Sequence, residues 1–531
     1  MSIPTKCTVL VIGGGPGGSY AAAVLAREGI DTVLLEGEKF PRYHIGESML
    51  PSMRHYLRLI DLDEEFVNHG FTKKVGAAFR VTPDKQEGWT DFITAGGPDN
   101  YTWNVIRSEA DEMIFRHAGK CGAKTFDGVR VNEIQFVPSD IATKEQAHVG
   151  RPVSATYTRK TGDSNSNGVS ASESAENGTG TPTETGAIEF DYLIDASGRA
   201  GILSTKYLKN RQYSKALKNI AHWAYYRDMG KYGRGTEKEN SPFFEALADE
   251  SGWAWFIPLH NNTTSVGIVR HQRIANALKK QHGSTEVYYD ESLKLLPVLT
   301  GLMDGVSSEK RVSPIHSASD YSYAASTYAL PYARIVGDAG CFIDPFFSSG
   351  VHLALTGGLA AATTIAASIK GDVEEKTAAA WHSEKVREGY ARFLLVVLSI
   401  YKQMGNQRDA VLSDFGESNF DRAFEIFRPV IQGEVDTSKS GITQAEFSTT
   451  INFLANVLDP SREDLLRGNG EKEEDISAAI RREDAEAKME VLKAVRSGQE
   501  KEWYSMGNFT TDVVDGRVPR VERGGLTLVL A

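Results

Sequence analysis

The stretch from Thr8 to Glu36 leaves this chain little freedom. Thr8 to Ile12 is an apolar, β-branched run and predicts a buried strand. It runs straight into Gly13-x-Gly15-x-x-Gly18, after which an alanine-rich helix spans Tyr20 to Arg27. A second strand, Thr32 to Leu35, ends in an acid, Glu36. Strand, glycine turn, helix, strand and acid stand in the order of a dinucleotide fingerprint. Gly13 permits the tight turn, Gly15 lets the backbone approach a pyrophosphate, and Gly18 lets the helix lie close to the sheet. The helix N-terminus offers free N–H groups to phosphates. Glu36, about twenty residues beyond the turn, is spaced to meet a ribose hydroxyl.

The other bulk features narrow the class. A chain of 531 residues can bury large cores and form two or three domains. Its net charge of −11 speaks against nucleic acid as a partner. Cys7, Cys121 and Cys341 are far apart and form no CxxC or Cys/His cluster, so neither a metal site nor a disulfide framework is expected. The N-terminus enters the first strand without a signal-peptide pattern, and no apolar run reaches the roughly 18 residues of a membrane span. The sequons at Asn177, Asn261, Asn262 and Asn508 then read as chance matches, and the expected compartment is the reducing cytoplasm.

Further along, Pro41 to Ser48 (PRYHIGES) precedes a helix reaching Leu59. Gly70 to Val81 ends in a strand-like run, Trp103 to Arg107 reads as a short strand, and Ser108 is placed as the N-cap of a helix to Ala118. Residues 160–186 are mostly Gly, Ser, Asn, Thr and Glu and have little to pack. They read as the disordered tip of a hairpin between strands at Ser154–Tyr157 and Ala187–Ile194. Phe190 to Arg199 is a buried strand ending in a small-residue turn. From 220 to 330, HWAYYR, GWAWFIPL and TTSVGIVR alternate with turns, the pattern of an antiparallel sheet. Ala333 to Gly350 returns to strand-then-glycine, followed by an alanine-rich helix from Val351 to Ile369. Residues 376–408 and about 440–500 read as helices with solvated, charged faces.

Three distant segments carry related signals: Gly13-x-Gly15-x-x-Gly18, Asp195-Ala-Ser-Gly-Arg199 and Gly337-Asp338-Ala339-Gly340. Together they resemble the FAD-binding fold of the class A flavin monooxygenase (aromatic hydroxylase) superfamily. Four further matches narrow the resemblance to flavin-dependent halogenases, in particular the fungal phenolic group of the radicicol and griseofulvin pathways. They are Gly46-Glu47-Ser48, Lys74 within KKVGAAF, the WxWxIP signature at Trp253 to Pro258, and Asp344-Pro-Phe-Phe-Ser-Ser-Gly350. The resemblance runs to about residue 430. It implies an α/β fold: a Rossmann-like FAD-binding domain of aromatic hydroxylase type, an antiparallel substrate-covering sheet and a helical C-terminal region. The halogenase core would span 1–430, with a discontinuous FAD module at about 1–120, 150–215 and 325–375 and the covering sheet at about 216–325. The C-terminal region would span 376–531.

The resemblance also implies roles. FAD, used as FADH2, would contact Gly13, Gly15, Pro16, Gly18, Glu36, Arg42, Ser48, Arg107, Asp338 and Gly350. Chloride, the co-substrate, would sit on the N–H groups of Ser349 and Gly350, a turn opening a helix and able to form an anion nest. A flavin hydroperoxide would oxidise chloride to hypochlorous acid. Lys74 would hold or carry the oxidant and deliver it to the ring, and burial would suit it to that task by depressing its pKa. By residue chemistry alone Lys74 reads as a surface lysine, with Lys73 its neighbour and competitor. Trp253 and Trp255, two apart on a strand, face one side and would wall off the flavin. Phe346, Phe347 and the Tyr321–Tyr323 pair are candidates for an aromatic substrate pocket.

One departure bears on the substrate. Tryptophan halogenases carry a Glu before the first Ser of the DPxxSxG loop, where this chain has Phe347. That argues against an indole and for a phenol, whose oxygen activates its own ring. The chain shows no second nucleotide fingerprint, so a separate flavin reductase is the expected source of FADH2. Nothing in it speaks for a membrane, nucleic acid or carrier-protein partner. The competing readings are an NAD(P)H-using FAD hydroxylase, needing neither Lys74 nor WxWxIP, and an FAD-binding scaffold without turnover.

Overall fold

A computed structural model describes residues 2–160 except 145 and 147, 183–305 except 215 and 216, 308–408 except 320, 411–412, 419–437 and 513–531, together with Phe453, Val457 and Phe509. The bulk of the polar insert and the helices expected at 440–500 lie outside the described residues.

The glycine fingerprint opens an eight-stranded sheet. Its main path runs Ala329–Leu330, Ala333–Ile335, Thr183–Asp195, Lys6–Ile12, Thr32–Glu36 and Lys124–Asp127. The four pairings from Ala333–Ile335 through to Lys124–Asp127 are parallel. Strands buried on both faces explain the unbroken apolar runs at Val9–Ile12 and Val33–Leu35. Lys160 pairs with Thr183 across the polar insert, so its flanks form the expected hairpin. Helix Pro16–Arg27 begins four residues earlier than its alanine-rich part suggests, because Pro16 at the first turn needs no N–H partner.

A second sheet has seven strands, in the order His316–Ser319, Asn219–Arg227, Thr263–His271, Gly252–Pro258, Phe243–Ala246, Gly76–Arg80 and Gly88–Asp91. It is wider than the expected 216–325, since Gly76–Arg80 and Gly88–Asp91 join it from the N-terminal part. It is also not wholly antiparallel, because Phe243–Ala246 pairs in parallel with Gly76–Arg80. Period-two alternation sorts its faces. Trp253, Trp255 and Ile257 point into the large core, whereas Ala254 and Phe256 pack under the helices Thr285–Leu293 and Pro297–Leu302.

Two local expectations need correction. The strand at Trp103 is Thr102–Asn104, and helix Arg107–Lys120 takes over at Arg107. Ser108 is therefore inside the helix; the N-cap position is Ile106, which makes no side-chain cap. The C-terminal region is not uniformly helical either. Helices Glu375–Met404, Asp421–Ile431 and Glu434–Thr437 are followed by the antiparallel hairpin Arg517–Arg520 and Thr527–Leu530. That hairpin returns to the nucleotide-type domain, where Glu28 accepts hydrogen bonds from the N–H groups of Gly524 (2.7 Å) and Leu526 (3.1 Å).

Helix Gly350–Lys370 is long and apolar enough, by length and composition, to cross a membrane. Its Thr, Gly and Ser interrupt the apolar run, so a simple count of the sequence passes over it. In the fold, 83% of its most apolar window is buried against the rest of the chain. It is a core helix.

Candidate active site

The three distant glycine-bearing motifs meet at one point. Ile12 ends its strand and its carbonyl accepts the N–H of Ala196 (2.8 Å), while the Asp195 carbonyl accepts the N–H of Val336 (2.9 Å). Gly13 turns away at φ +103°, and a Cβ there would lie 2.1 Å from the Ala196 carbonyl oxygen. A Cβ on Gly18 would lie 2.0 Å from the Gly13 carbonyl oxygen. Only glycine permits this approach of turn, helix and second motif. Asp195 is buried and accepts from the N–H groups of Ser197 (3.1 Å) and Leu203 (2.7 Å), so it fixes the turn after its strand.

Above this junction lies a cavity of about 610 Å³. Gly13, Gly15, Pro16, Glu36, Arg42, Ser48, Arg107, Asp338 and Gly350 all line it; Gly18 lies beneath, packed on Gly13. The helix N-terminus at Pro16 has no side-chain cap, leaving its N–H groups for an anion. Glu36 accepts from the N–H of Gly14 (2.6 Å) and of Glu38 (2.9 Å), so the acid holds the turn it faces. Arg107 binds Asp111 through two nitrogens (2.8 and 3.1 Å) and donates to the carbonyls of Ile45 (2.9 Å) and Gly46 (3.1 Å). Burial would raise Asp111, but Arg107 and Arg42 outweigh it and hold the carboxyl below its usual range. Burial pushes Asp338 up to about 6 against the pull of Arg107. A glycine cradle, an uncapped helix end, a terminal acid on the second strand and a buried arginine fit FAD in kind and in volume.

A second, smaller chamber of about 120 Å³ adjoins the first. His44, Gly46, Ser48, Arg199, Asp338, Phe342, Pro345 and Ser348 line both. Trp253 and Trp255 form its wall, with ring centres 5.9 Å apart, and Trp223, Phe244, Ile257 and Tyr321 complete the apolar lining. Tyr323 points elsewhere and donates to the Asp338 carbonyl (2.7 Å). Phe346 and Phe347 line neither cavity. They are 1% and 2% exposed in an aromatic cluster with Phe79, Phe244 and Phe424, because the turn Pro345–Phe347 directs them into the core.

Lys74 ends a three-residue strand, Thr72–Lys74, paired with Thr102–Asn104. The side chain is 1% exposed. Its Nζ donates to Ser48 Oγ (2.8 Å) and to the Met49 carbonyl (2.8 Å) and lies 5.2 Å from the centre of the Phe92 ring. Burial pushes its pKa down to about 7. The surface reading of Lys74 is thus wrong, and alternation along the strand is the reason. Its neighbour Lys73 points outward, exposed, with its ammonium over Tyr101 (4.1 Å). Ser48 connects the lysine to both cavities.

The Asp344–Gly350 loop is held from below. Asp344 accepts from Asn219 Nδ2 (3.1 Å) and the Tyr401 hydroxyl (2.8 Å), and Tyr401 in turn accepts from Trp253 Nε1 (2.7 Å). Sequence reasoning passed over Asn219 and Tyr401, which come from remote elements. Ser348 takes a left-handed conformation (φ +57°), Ser349 Oγ is buried without a hydrogen-bond partner, and helix Gly350–Lys370 starts at once. The first-turn N–H groups of such a helix have no intrahelical acceptor, which suits an anion.

One feature of the surface had no sequence signal. His69 and His260 both contact Glu109 (2.7 and 3.2 Å), a cluster of metal-ligand types assembled from three separate elements. Each contact is also a hydrogen-bond distance, so the cluster does not require an ion. Cys7, Cys121 and Cys341 are unpaired.

Residues 8–106 and 162–414 match the tryptophan halogenase family. The flavin-dependent halogenase ascD of Acremonium egyptiacum is 53% identical, covering 99% of this chain and 93% of that protein. The sulochrin halogenase gedL of Aspergillus terreus is 49% identical over 99% of this chain and 94% of its own length. Among solved structures, the myxobacterial chondrochloren halogenase CndH superposes with a TM-score of 0.63 at 25% identity, covering 87% of this chain and 99% of that one. The halogenase PltM, solved with phloroglucinol and FAD, shares the fold at a TM-score of 0.61 and 16% identity, over 92% and 96% of the two chains.

Proposed function

The chain belongs to the flavin-dependent halogenases of the tryptophan halogenase family, and from that premise we propose that it chlorinates an electron-rich, polyketide-derived phenol by way of Lys74. Its cofactor is FAD, used as FADH2, and chloride is its co-substrate. Bound and reduced, the flavin supplies the oxygen activation that turns chloride into an electrophilic chlorine equivalent such as hypochlorous acid. Everything else falls to the chain's own residues.

The observation that carries the reading is the burial of Lys74 with its ammonium on Ser48: the lysine itself lines neither cavity, but Ser48 lines both. A lysine whose pKa lies near 7 can act as a donor or as a neutral amine close to neutrality. Glu36, Arg42, Arg107 and Asp338 would orient the cofactor, and the N–H groups of Ser349 and Gly350 would hold chloride at a helix start. Trp253 and Trp255 would keep the substrate ring away from the flavin and exclude water, favouring chloride over direct ring hydroxylation.

Two observations favour a phenol over an indole. Phe347 stands where an indole-type enzyme has its carboxylate, and it is packed in an aromatic cluster. The relative at 49% identity is named for sulochrin, a phenolic polyketide. A separate flavin reductase would supply FADH2, and the unpaired cysteines suit a reducing compartment.

The test is an incubation with FAD, a flavin reductase, NADH, oxygen, chloride and a panel of resorcylic and benzophenone-like phenols, read by mass spectrometry. A product with the chlorine isotope pattern that vanishes without chloride is expected. A hydroxylated product indifferent to chloride would overturn the reading.

A further inference from the structure

Halogenation consumes a proton. In the balance FADH2 + O2 + Cl⁻ + H⁺ + Ar–H → FAD + Ar–Cl + 2 H2O, the ring hydrogen and one proton from outside both leave as water. The smaller chamber is lined mostly by apolar side chains, so a proton donor fixed in its wall would serve that demand.

Glu47 places a carboxyl in this wall, 3% exposed. Its Oε1 accepts from the Tyr225 hydroxyl at 2.6 Å, and its Oε2 is buried without a hydrogen-bond partner. The Tyr225 hydroxyl lies 3.0 Å from that of Tyr43. The Tyr43 oxygen accepts from Trp223 Nε1 at 2.8 Å, and Tyr43 itself is 53% exposed. A line of two hydroxyls therefore runs from the surface to a buried carboxyl, whose other neighbour is the Ser265 hydroxyl.

We propose that Tyr43, Tyr225 and Glu47 form a proton relay that delivers to the chamber the proton each halogenation consumes. The proposal rests on the halogenase reading above. A proton arriving from water at the Tyr43 oxygen displaces that residue's own hydrogen to Tyr225. Tyr225 passes its hydrogen to Glu47 Oε1. Each hydroxyl loses one O–H bond and gains another, so no phenolate forms. Rotation of the carboxyl then presents the hydrogen to the chamber, where the oxygen that would leave as water when chloride is oxidised takes it up, and the carboxylate left behind is ready to accept again from Tyr225.

The electrostatics suit such a task. Tyr225 and Ser265 from the sheet and Arg107 from its helix all face Glu47 and favour its charged form, but burial outweighs them and pushes it up to about 7. His44, in the same wall, is pushed down to about 4 by burial and Arg107, so it is neutral and a poor donor.

The test uses the full chain with Glu47→Gln and Tyr225→Phe, in two arms. In the flavin-free protein, infrared titration should show a buried carboxylic C=O band that titrates near neutral pH and is missing from Glu47→Gln. In Tyr225→Phe the band should titrate at higher pH, because a donor to the carboxylate has gone. In the loaded enzyme, single-turnover chlorination should slow by about a hundredfold in Glu47→Gln, the lower end for lost acid–base catalysis. It should slow at least about tenfold in Tyr225→Phe, with a larger solvent deuterium isotope effect than in the wild type. A wild-type protein without that titrating band, or a Tyr225→Phe variant that chlorinates within about twofold of wild type, would overturn the relay. Absence of chlorinated product from the wild type would instead overturn the halogenase reading, and the infrared arm would stand apart from it.

Discussion

The two cavities share a wall but are built on opposite principles. The larger one is made mostly of backbone: a glycine turn, a helix end and strand termini, steadied by a few ionic side chains. The smaller one is made of side chains sent from strands and loops between His44 and Ser348, with almost no backbone chemistry of its own. The difference follows from what each must do. A dinucleotide presents phosphates and hydroxyls, which main-chain N–H groups and a carboxylate can hold. A reactive halogen must be kept from water and handed to one place, which needs aromatic walls and one buried amine.

Substitutions should separate the two. The largest effect is expected from Gly13→Ala, where a positive φ and a 2.1 Å contact with the Ala196 carbonyl leave no room for a methyl. FAD affinity, measured by fluorescence titration, should fall by about a thousandfold, ~4 kcal/mol. Unchanged affinity would break the claim that backbone geometry makes this cavity. Trp255→Ala acts on the other side. Loss of a buried indole should lower thermal stability by about 3–4 kcal/mol, while FAD affinity changes by less than about threefold.

Lys74→Met sharpens the comparison through pH. Lys74 has a folded pKa of about 7, far below the unfolded value of about 10.4. Between these values the unfolded chain binds more protons, so the wild type gains stability as pH rises through this window, and the variant lacks that gain. Denaturation at pH 6 and pH 9 should show the wild type gaining about 3 kcal/mol relative to the variant. A constant difference would mean that Lys74 is not a buried titrating amine. The smallest effect belongs to Trp253→Phe, which removes the indole N–H bound to Tyr401 (2.7 Å). It should cost about 1 kcal/mol in chemical denaturation.

What the sequence reveals follows the same division. The FAD cavity is legible because its parts are short contiguous motifs whose spacing fixes their geometry. Gly13 to Gly18, Glu36 and the Asp195 and Asp338 turns can be located from residue order alone. Trp253 and Trp255 are legible as one face of a strand for the same local reason. Lys74 is not legible by chemistry, because two adjacent lysines look alike until strand pairing with Thr102–Asn104 decides which one turns inward. Phe346 and Phe347 suit a pocket by residue type, but the turn at Pro345 and the ring of Phe79 draw them into the core. Tyr43, Tyr225, Asn219 and Tyr401 carry no motif at all. They matter only because elements more than a hundred residues apart bring their polar tips together.

On the proposed function halogen reaches the substrate through Lys74, and a paired comparison decides whether it does. Lys74→Ala and Lys73→Ala would be set against wild type in the reductase-coupled assay, scoring chlorinated phenol per flavin oxidised, with FAD affinity measured alongside. Lys74→Ala should bind FAD and consume NADH through it while losing at least about a thousandfold in chlorinated product, ~4 kcal/mol of barrier. Lys73→Ala should chlorinate within about twofold of wild type, as expected for an exposed lysine over Tyr101. Chlorination that survives in Lys74→Ala, or disappears in Lys73→Ala with FAD binding intact, would contradict that role for Lys74.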